Sequence, residues 1–205
     1  MTEELVKFIR AKSFPCLMAK SLTNKGHLET HTMDKVDAKQ IISRLYEFVE
    51  KYRKCPERLS SCVFIFPGED KKCFEQGEKL LWRVLKEMRS IDQSLYAHDP
   101  RVSSNPKSGS YSYSVKEEAM FVLLLHPQSP RLARRFKHTT IVFNPHQQFE
   151  TLRKKNIFFK IRDQIRKMDF ALQGSENKML NDFGTTSEVF QYSGRRYGEN
   201  AVIEL

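Results

Sequence analysis

Two short apolar runs constrain this chain more than any other feature: AMFVLLL at residues 119–125 and TTIVF at residues 139–143, each stopping at a proline with a histidine beside it. The first ends at His126-Pro127 and the second at Asn144-Pro145-His146. Runs of this length, rich in Val, Ile, Leu and Phe and bounded by turn residues, read as strands buried on both faces or nearly so. A proline after each run ends the ladder, because it has no N–H to donate. Both histidines therefore stand at strand exits, and this reading puts them at the same edge of a sheet. Strand exits and the loops after them are where a rigid scaffold presents chemistry to a cavity. Between the runs lies Ser129-Pro130-Arg131-Leu132-Ala133-Arg134-Arg135, whose three arginines place positive charge near those exits. The combination suggests a pocket for something partly anionic.

The rest of the chain supplies helices and two further strands. Residues 37–54 and 74–95 carry apolar side chains at helical spacing, and Cys62-Val63-Phe64-Ile65-Phe66 reads as a strand stopped by Pro67-Gly68. Tyr111 and Tyr113 alternate with serines and lead through Lys116-Glu117-Glu118 into the 119–125 run as an antiparallel hairpin. Residues 24–33 and 99–109 read as polar loops, and His146 opens a helix that Asn156 interrupts. The expectation is an α+β fold, a mostly antiparallel sheet of about four strands packed with helices, in a single domain spanning residues 1–205. Residues 1–13 would form an N-terminal helix, and residues 184–205 a tail too polar to enter the core, both packing on that domain.

At 205 residues one substantial core is affordable, and no window approaches the roughly 18 apolar residues of a membrane helix. The opening residues carry charges throughout and lack a signal-peptide apolar region, so the reading is a cytoplasmic protein with free thiols at Cys16, Cys55, Cys62 and Cys73. The net charge of +10 is spread along the chain with acidic residues interleaved. That pattern describes a basic surface rather than a nucleic-acid-binding face.

Cys16 follows a proline and precedes a helix start, where backbone N–H groups and the helix dipole lower a thiol pKa and favour the thiolate. A lone cysteine is also commonly a small buried hydrophobe. His126 and His146 are candidates for an axial ligand, a proton donor or a base, and Arg134 and Arg135 are natural partners for carboxylates. His27 and His31 are four apart, but the intervening sequence lacks the glutamate of a zinc motif and reads as solvated loop. No GxSxG elbow and no phosphate-cradling glycine loop is present.

Several separate stretches together resemble the YqcI/YcgG family: Phe14-Pro15-Cys16, Asp99-Pro100, Leu125-His126-Pro127, Ala133-Arg134-Arg135-Phe136, His146-Gln147-Gln148-Phe149-Glu150, Leu172-Gln173-Gly174-Ser175 and Gln191-Tyr192-Ser193-Gly194-Arg195. The resemblance runs from about Phe14 to Arg195. Two stretches depart from it: Leu17-Met18 stands where a smaller Val-Gly pair is expected, and Gly198-Glu199-Asn200 where a Cys-Pro-containing tail is expected. The family includes the haem-dependent N-hydroxylase of guanitoxin biosynthesis, so the resemblance implies a haem b oxygenase. Such an enzyme would act on an amine or guanidino nitrogen with dioxygen and electrons from a donor protein; the alternative is a haem-binding sensor or carrier without turnover. It implies Cys16 or His146 as the iron ligand, with His126 third, and Arg134, Arg135 and Arg195 on the propionates. Gln173, Ser175, Asn177 and Tyr192 would line the substrate side. Carboxylates such as Asp99, Glu150 and Asp169 could receive a guanidinium, or stand as solvated surface groups.

Overall fold

The computed structural model describes residues 1–205 apart from 71, 199, 200 and 204; Glu199 and Asn200 of the tail thus lie outside the described residues. Helix α1 (Thr2–Arg10) and helix α2 (Leu17–Asn24) precede strand β1 (Leu28–Thr32), helix α3 (Ala38–Arg53) and strand β2 (Ser61–Phe66). Helix α4 (Phe74–Gln93) leads to the β3 (Tyr113–Val115) and β4 (Glu118–Leu125) hairpin, then a 3₁₀ turn at Leu132–Arg134 and strand β5 (Thr139–Pro145). Helices α5 (Gln147–Lys154), α6 (Phe158–Gln173) and α7 (Val189–Tyr192) complete the chain. No helix among the described residues is long and apolar enough to cross a membrane.

The five strands form one mixed sheet in the order β1-β2-β5-β4-β3, with β1 parallel to β2 and the other pairs antiparallel. The α+β class stands and three of the four pairs are antiparallel, but the sheet among the described residues has five strands instead of about four, with one parallel pair. The strand missed is β1, LETHT, which falls inside the stretch read as polar loop. As an edge strand it has no fully buried residue, so its sequence carries no apolar alternation. A parallel pair needs a crossover, and α3 supplies it between β1 and β2. The β3–β4 hairpin closes over two residues, Lys116 (φ 51°) and Glu117 (φ 58°), both in the left-handed conformation that a tight right-twisted hairpin demands.

Alternation along the central strands separates two faces. Cys62, Phe64 and Phe66 of β2, Met120, Val122 and Leu124 of β4, and Ile141 and Phe143 of β5 pack into one core with α3 and α4. The opposite face carries Val63, Ile65 and Leu125 against Leu5 and Ile9 of α1. On that second face Phe121, Leu123, Val142 and Asn144 remain half-exposed although they sit on the central strands.

Two further corrections concern the exits of β4 and β5 and the C-terminal tail. Their antiparallel register pairs Met120 with Pro145 and Leu125 with Thr140, so His126 and His146 lie at opposite ends of the sheet. The tail also enters the core: Val189 and Tyr192 are buried in the α3–α4 cluster and Ser193 has no exposure. Tyr192 can be buried because its hydroxyl has partners, accepting from Tyr113 N at 3.1 Å and donating to Glu188 Oε1 at 2.6 Å.

His126 is wholly buried against α4, its Nδ1 accepting from Gln128 N at 3.0 Å. A Cβ on Gly77 would stand 2.5 Å from the His126 ring. Alanine at a helix position gains up to about 1 kcal/mol in propensity, whereas overpacking a fixed ring costs about 1–3 kcal/mol. Gly77→Ala is therefore expected to lower stability by about 1–2 kcal/mol in urea denaturation. A stabilised variant would contradict the tight seating of His126.

Candidate functional site

The half-exposed side chains of β4 and β5 form the floor of a cavity of about 330 Å³. Phe121, Leu123 and Val142 give that floor an apolar character, and Asn144 adds one polar group. Opposite stands α6, a helix of sixteen residues of which only Asp169 is buried. Its apolar positions Phe158, Ile161 and Ile165 line the cavity instead of packing on the sheet. Asn156 (φ 56°) in the left-handed conformation separates α6 from α5, and a left-handed glycine, Gly174, caps its far end. Gln173 ties that far end down, accepting from Leu132 N at 2.7 Å and donating to Pro130 O at 3.2 Å.

Of the residues singled out by sequence, the cavity brings together Cys16, His146, Arg134, Asp169 and Asn177. Cys16 caps α2, its Sγ accepting from Ala19 N at 3.4 Å, as the Pro-Cys-helix pattern suggests. The thiol pKa moves the opposite way to the expectation. Burial pushes it up, outweighing the Ala19 and Met18 N–H groups that favour thiolate. Met18, one of the two departures from the family pattern, lines the cavity beside it.

The structure places the other candidates elsewhere. His126 faces Phe74 and Gly77 on the α4 side, and Arg195 joins it there, ion-paired to Glu78 at 2.6 Å. Arg135 is exposed and donates to Ser129 O at 3.1 Å. Gln173 and Ser175 belong to the α6 tether, Ser175 O accepting from Arg131 at 3.4 Å, and Tyr192 is sealed behind Phe121. The proposed guanidinium receivers are already engaged: Asp99 by Arg101 at 2.6 Å, Asp169 by Arg131, and Glu150 by Arg153.

Of the arginines that line the cavity, Arg134 is the one the sequence singled out. Its Nη1 donates to Tyr192 O at 2.8 Å, and its chain lies where a Cβ on Gly194 would come within 2.9 Å of Cδ. Burial pulls its pKa down to about 10, so it stays charged, and no carboxylate among the described residues pairs with it. Arg131 Nε is buried without a hydrogen-bond partner.

Sequence reading missed Glu188. It is 4% exposed and lines the cavity. Its Oε1 accepts from Ser112 Oγ at 2.7 Å and from Tyr192 OH, while Oε2 lies 3.8 Å from His146 Nε2, beyond hydrogen-bond length. A lone glutamate in a polar tail carries no motif, and its partner Ser112 is 76 positions away, so only the fold reveals it. Burial drives both groups neutral: the His146 pKa falls to about 4 and that of Glu188 rises to about 8.

A second cluster lies on the other face, where Glu29, His31 and Cys62 hold potential ligand atoms within 4.8 Å of one another. Glu29 is already taken there by Lys51 at 3.0 Å and His31 at 3.2 Å.

The model of the YqcI/YcgG family matches residues 5–203. The chain belongs to the YqcI/YcgG family. No curated protein and no solved structure matches it. For this YqcI/YcgG protein the matched span includes the residues that line the cavity, from Leu5 to Gln191.

The two buried groups set a pH dependence of stability. Glu188 in the folded chain keeps its proton up to about pH 8, whereas an unfolded glutamate releases it near 4.5, so stability falls as pH rises through that window. His146 acts in the opposite sense, stability falling as pH drops from 6.5 towards 4, because the unfolded chain takes the proton first. Above pH 6.5 the glutamate contribution stands alone, with a limiting slope of about 1.4 kcal/mol per pH unit. Glu188→Gln should flatten the decline between pH 6.5 and 8 in denaturant titrations. An unchanged slope would mean that Glu188 ionises in the folded state.

Proposed function

We propose that this protein is a haem-dependent oxygenase that places oxygen on an amine or guanidino nitrogen of a small molecule, using dioxygen and electrons from a donor protein. The observation that carries the reading is the cavity itself, an apolar floor on the central strands with a cysteine and an unpaired arginine on its wall. The donor set suits haem b. A bound iron strips the proton from a coordinating thiol regardless of its free pKa, and the Ala19 N–H already faces Cys16 Sγ. Arg134 and the free Nε of Arg131 supply the donors that two propionates require.

Cys16 is the preferred iron ligand, since the imidazole Nε2 of His146 has the buried Glu188 carboxyl 3.8 Å away. Haem with a thiolate ligand supplies the activation of dioxygen that an N-hydroxylation needs. The protein's own residues provide the surroundings. Phe121, Leu123 and Val142 keep water from the floor, α6 covers the site, and neutral His146 can accept or hold a proton at Nε2. A haem carrier or sensor is the second reading, and it gains weight if Cys16 and His146, which line the same cavity, both bind the iron.

The test is the visible spectrum of protein produced with haem supplied, reduced under carbon monoxide, for wild type, Cys16→Ala and His146→Ala. A strongly red-shifted Soret band that disappears in Cys16→Ala alone is the expected result. A histidine-type carbonyl spectrum abolished by His146→Ala moves the ligand, and a six-coordinate spectrum that needs both residues selects the carrier. No Soret band in any preparation ends the haem reading.

A further inference from the structure

We infer that the outward face of α6 is the docking surface of an acidic electron-donor protein, one that carries a one-electron centre such as a flavin or an iron–sulfur cluster. This deepens the proposed function and rests on its reading that the electrons come from a donor protein.

Residues 153–171 hold seven Lys and Arg against two Asp, an excess of five out of the chain's net +10. The positive charge is thus more concentrated here than the even spread read from the sequence. Within the stretch the arginines are committed, Arg153 to Glu150, and Arg162 and Arg166 to Asp182 at 2.7 and 3.5 Å. Lys154, Lys155, Lys160 and Lys167 are exposed and have no carboxylate partner among the described residues. Apolar surface gathers at the same place. Of the six large apolar side chains exposed among the described residues, three are here: Ile157, Phe159 and Phe170. Phe159 and Phe170, 53% and 55% exposed, share one face of α6 roughly 16 Å apart along its axis. Lys160, Asp163 and Lys167 stand between them, also exposed.

Half-exposed aromatic rings surrounded by unpaired cations compose a protein-binding face, where a few aromatic anchors carry affinity and the charges steer the approach. The unpaired lysines select a partner of negative charge. An anionic lipid surface fits less well, because it takes a helix with a continuous apolar face. The continuous apolar stripe of α6, Phe158, Ile161 and Ile165, is turned into the cavity, and on the outer face Asp163 and Lys167 separate the two rings. Position narrows the partner further. A helix is about 10–12 Å across, so a donor seated on the outer face stands one helix diameter from the contents of the cavity that the inner face lines. Placing one atom of dioxygen on nitrogen and the other in water consumes two electrons and two protons, so a one-electron donor docks twice per turnover. The ion pairs of Asp169 with Arg131 and of Asp182 with Arg162 hold the platform in place for both encounters.

The experiment is calorimetric titration of an acidic two-iron ferredoxin, and in parallel of an acidic FMN flavodoxin, into the full chain, haem-free and haem-loaded. One of the two is expected to bind, roughly tenfold or more weakly to Lys160→Glu/Lys167→Glu and to Phe159→Ser/Phe170→Ser. Lys39→Glu/Lys86→Glu makes the same change of net charge at exposed positions of α3 and α4, across the sheet, and should bind as wild type does. All three variants alter exposed side chains outside the cavity lining, so each should take up haem as wild type does. Equal losses in the two charge-reversal variants would reduce the effect to net charge and overturn the assignment. Wild-type affinity in the α6 variants, or no binding of either donor, would overturn it too. Binding to phosphatidylcholine–phosphatidylserine vesicles that the α6 substitutions abolish, without donor binding, would make the face a lipid contact instead. Because the haem-free chain is titrated as well, a missing Soret band and a missing docking surface are separate results.

Discussion

The register between β4 and β5 is the constraint on which the rest of this molecule depends. Pairing Leu123 with Val142 and Leu124 with Ile141 sends alternate side chains to opposite faces. One set, including Val122, Leu124 and Phe143, is sealed under α3 and α4 without exposure. The other set becomes the floor of a cavity, because α6 spans the site from its ends instead of packing down. A slip of one residue would exchange the two sets and bury Asn144 in the dry core. The register thus fixes both the stable half of the domain and the open half.

Around that floor, charge is nearly balanced by internal pairing. Arg131, Arg153, Arg162 and Arg166 each have a carboxylate partner, and Asp169 and Asp182 each have a guanidinium. Two groups are left over: a charged Arg134 and a buried Glu188. An arginine without a carboxylate, opening on an apolar cavity, favours contents that bring an anionic group to it. Haem propionates have that chemistry, which is what the proposed function asks of Arg134.

Much of this was readable from the residues, for identifiable reasons. The strong apolar runs of β2, β4 and β5 and the amphipathic α3 and α4 declare themselves, since each buries a continuous face. The Cys16 cap and the position of His146 followed from local rules about proline and helix starts. What escaped depends on long-range pairing. The polar β1 strand is specified by its neighbour β2, and the opposite placement of His126 and His146 follows from strand direction, which short runs do not encode. Tyr192 and Glu188 look like tail residues until Ser112 and Tyr113 are brought to them by the hairpin. The sign of the Cys16 pKa failed for the same reason: a helix start is local, whereas burial is a property of the whole fold.

The most direct measurement of the central claim, that the open face of β4 and β5 is the haem site, is the haem stoichiometry of Leu123→Trp. Leu123 contributes to the cavity floor, and a larger side chain there adds apolar burial without disturbing the α3–α4 core. The account predicts a variant at least as stable as wild type, with the Soret band lost or haem affinity reduced at least tenfold. Full haem occupancy in a folded Leu123→Trp protein would contradict it and place any haem elsewhere on the molecule.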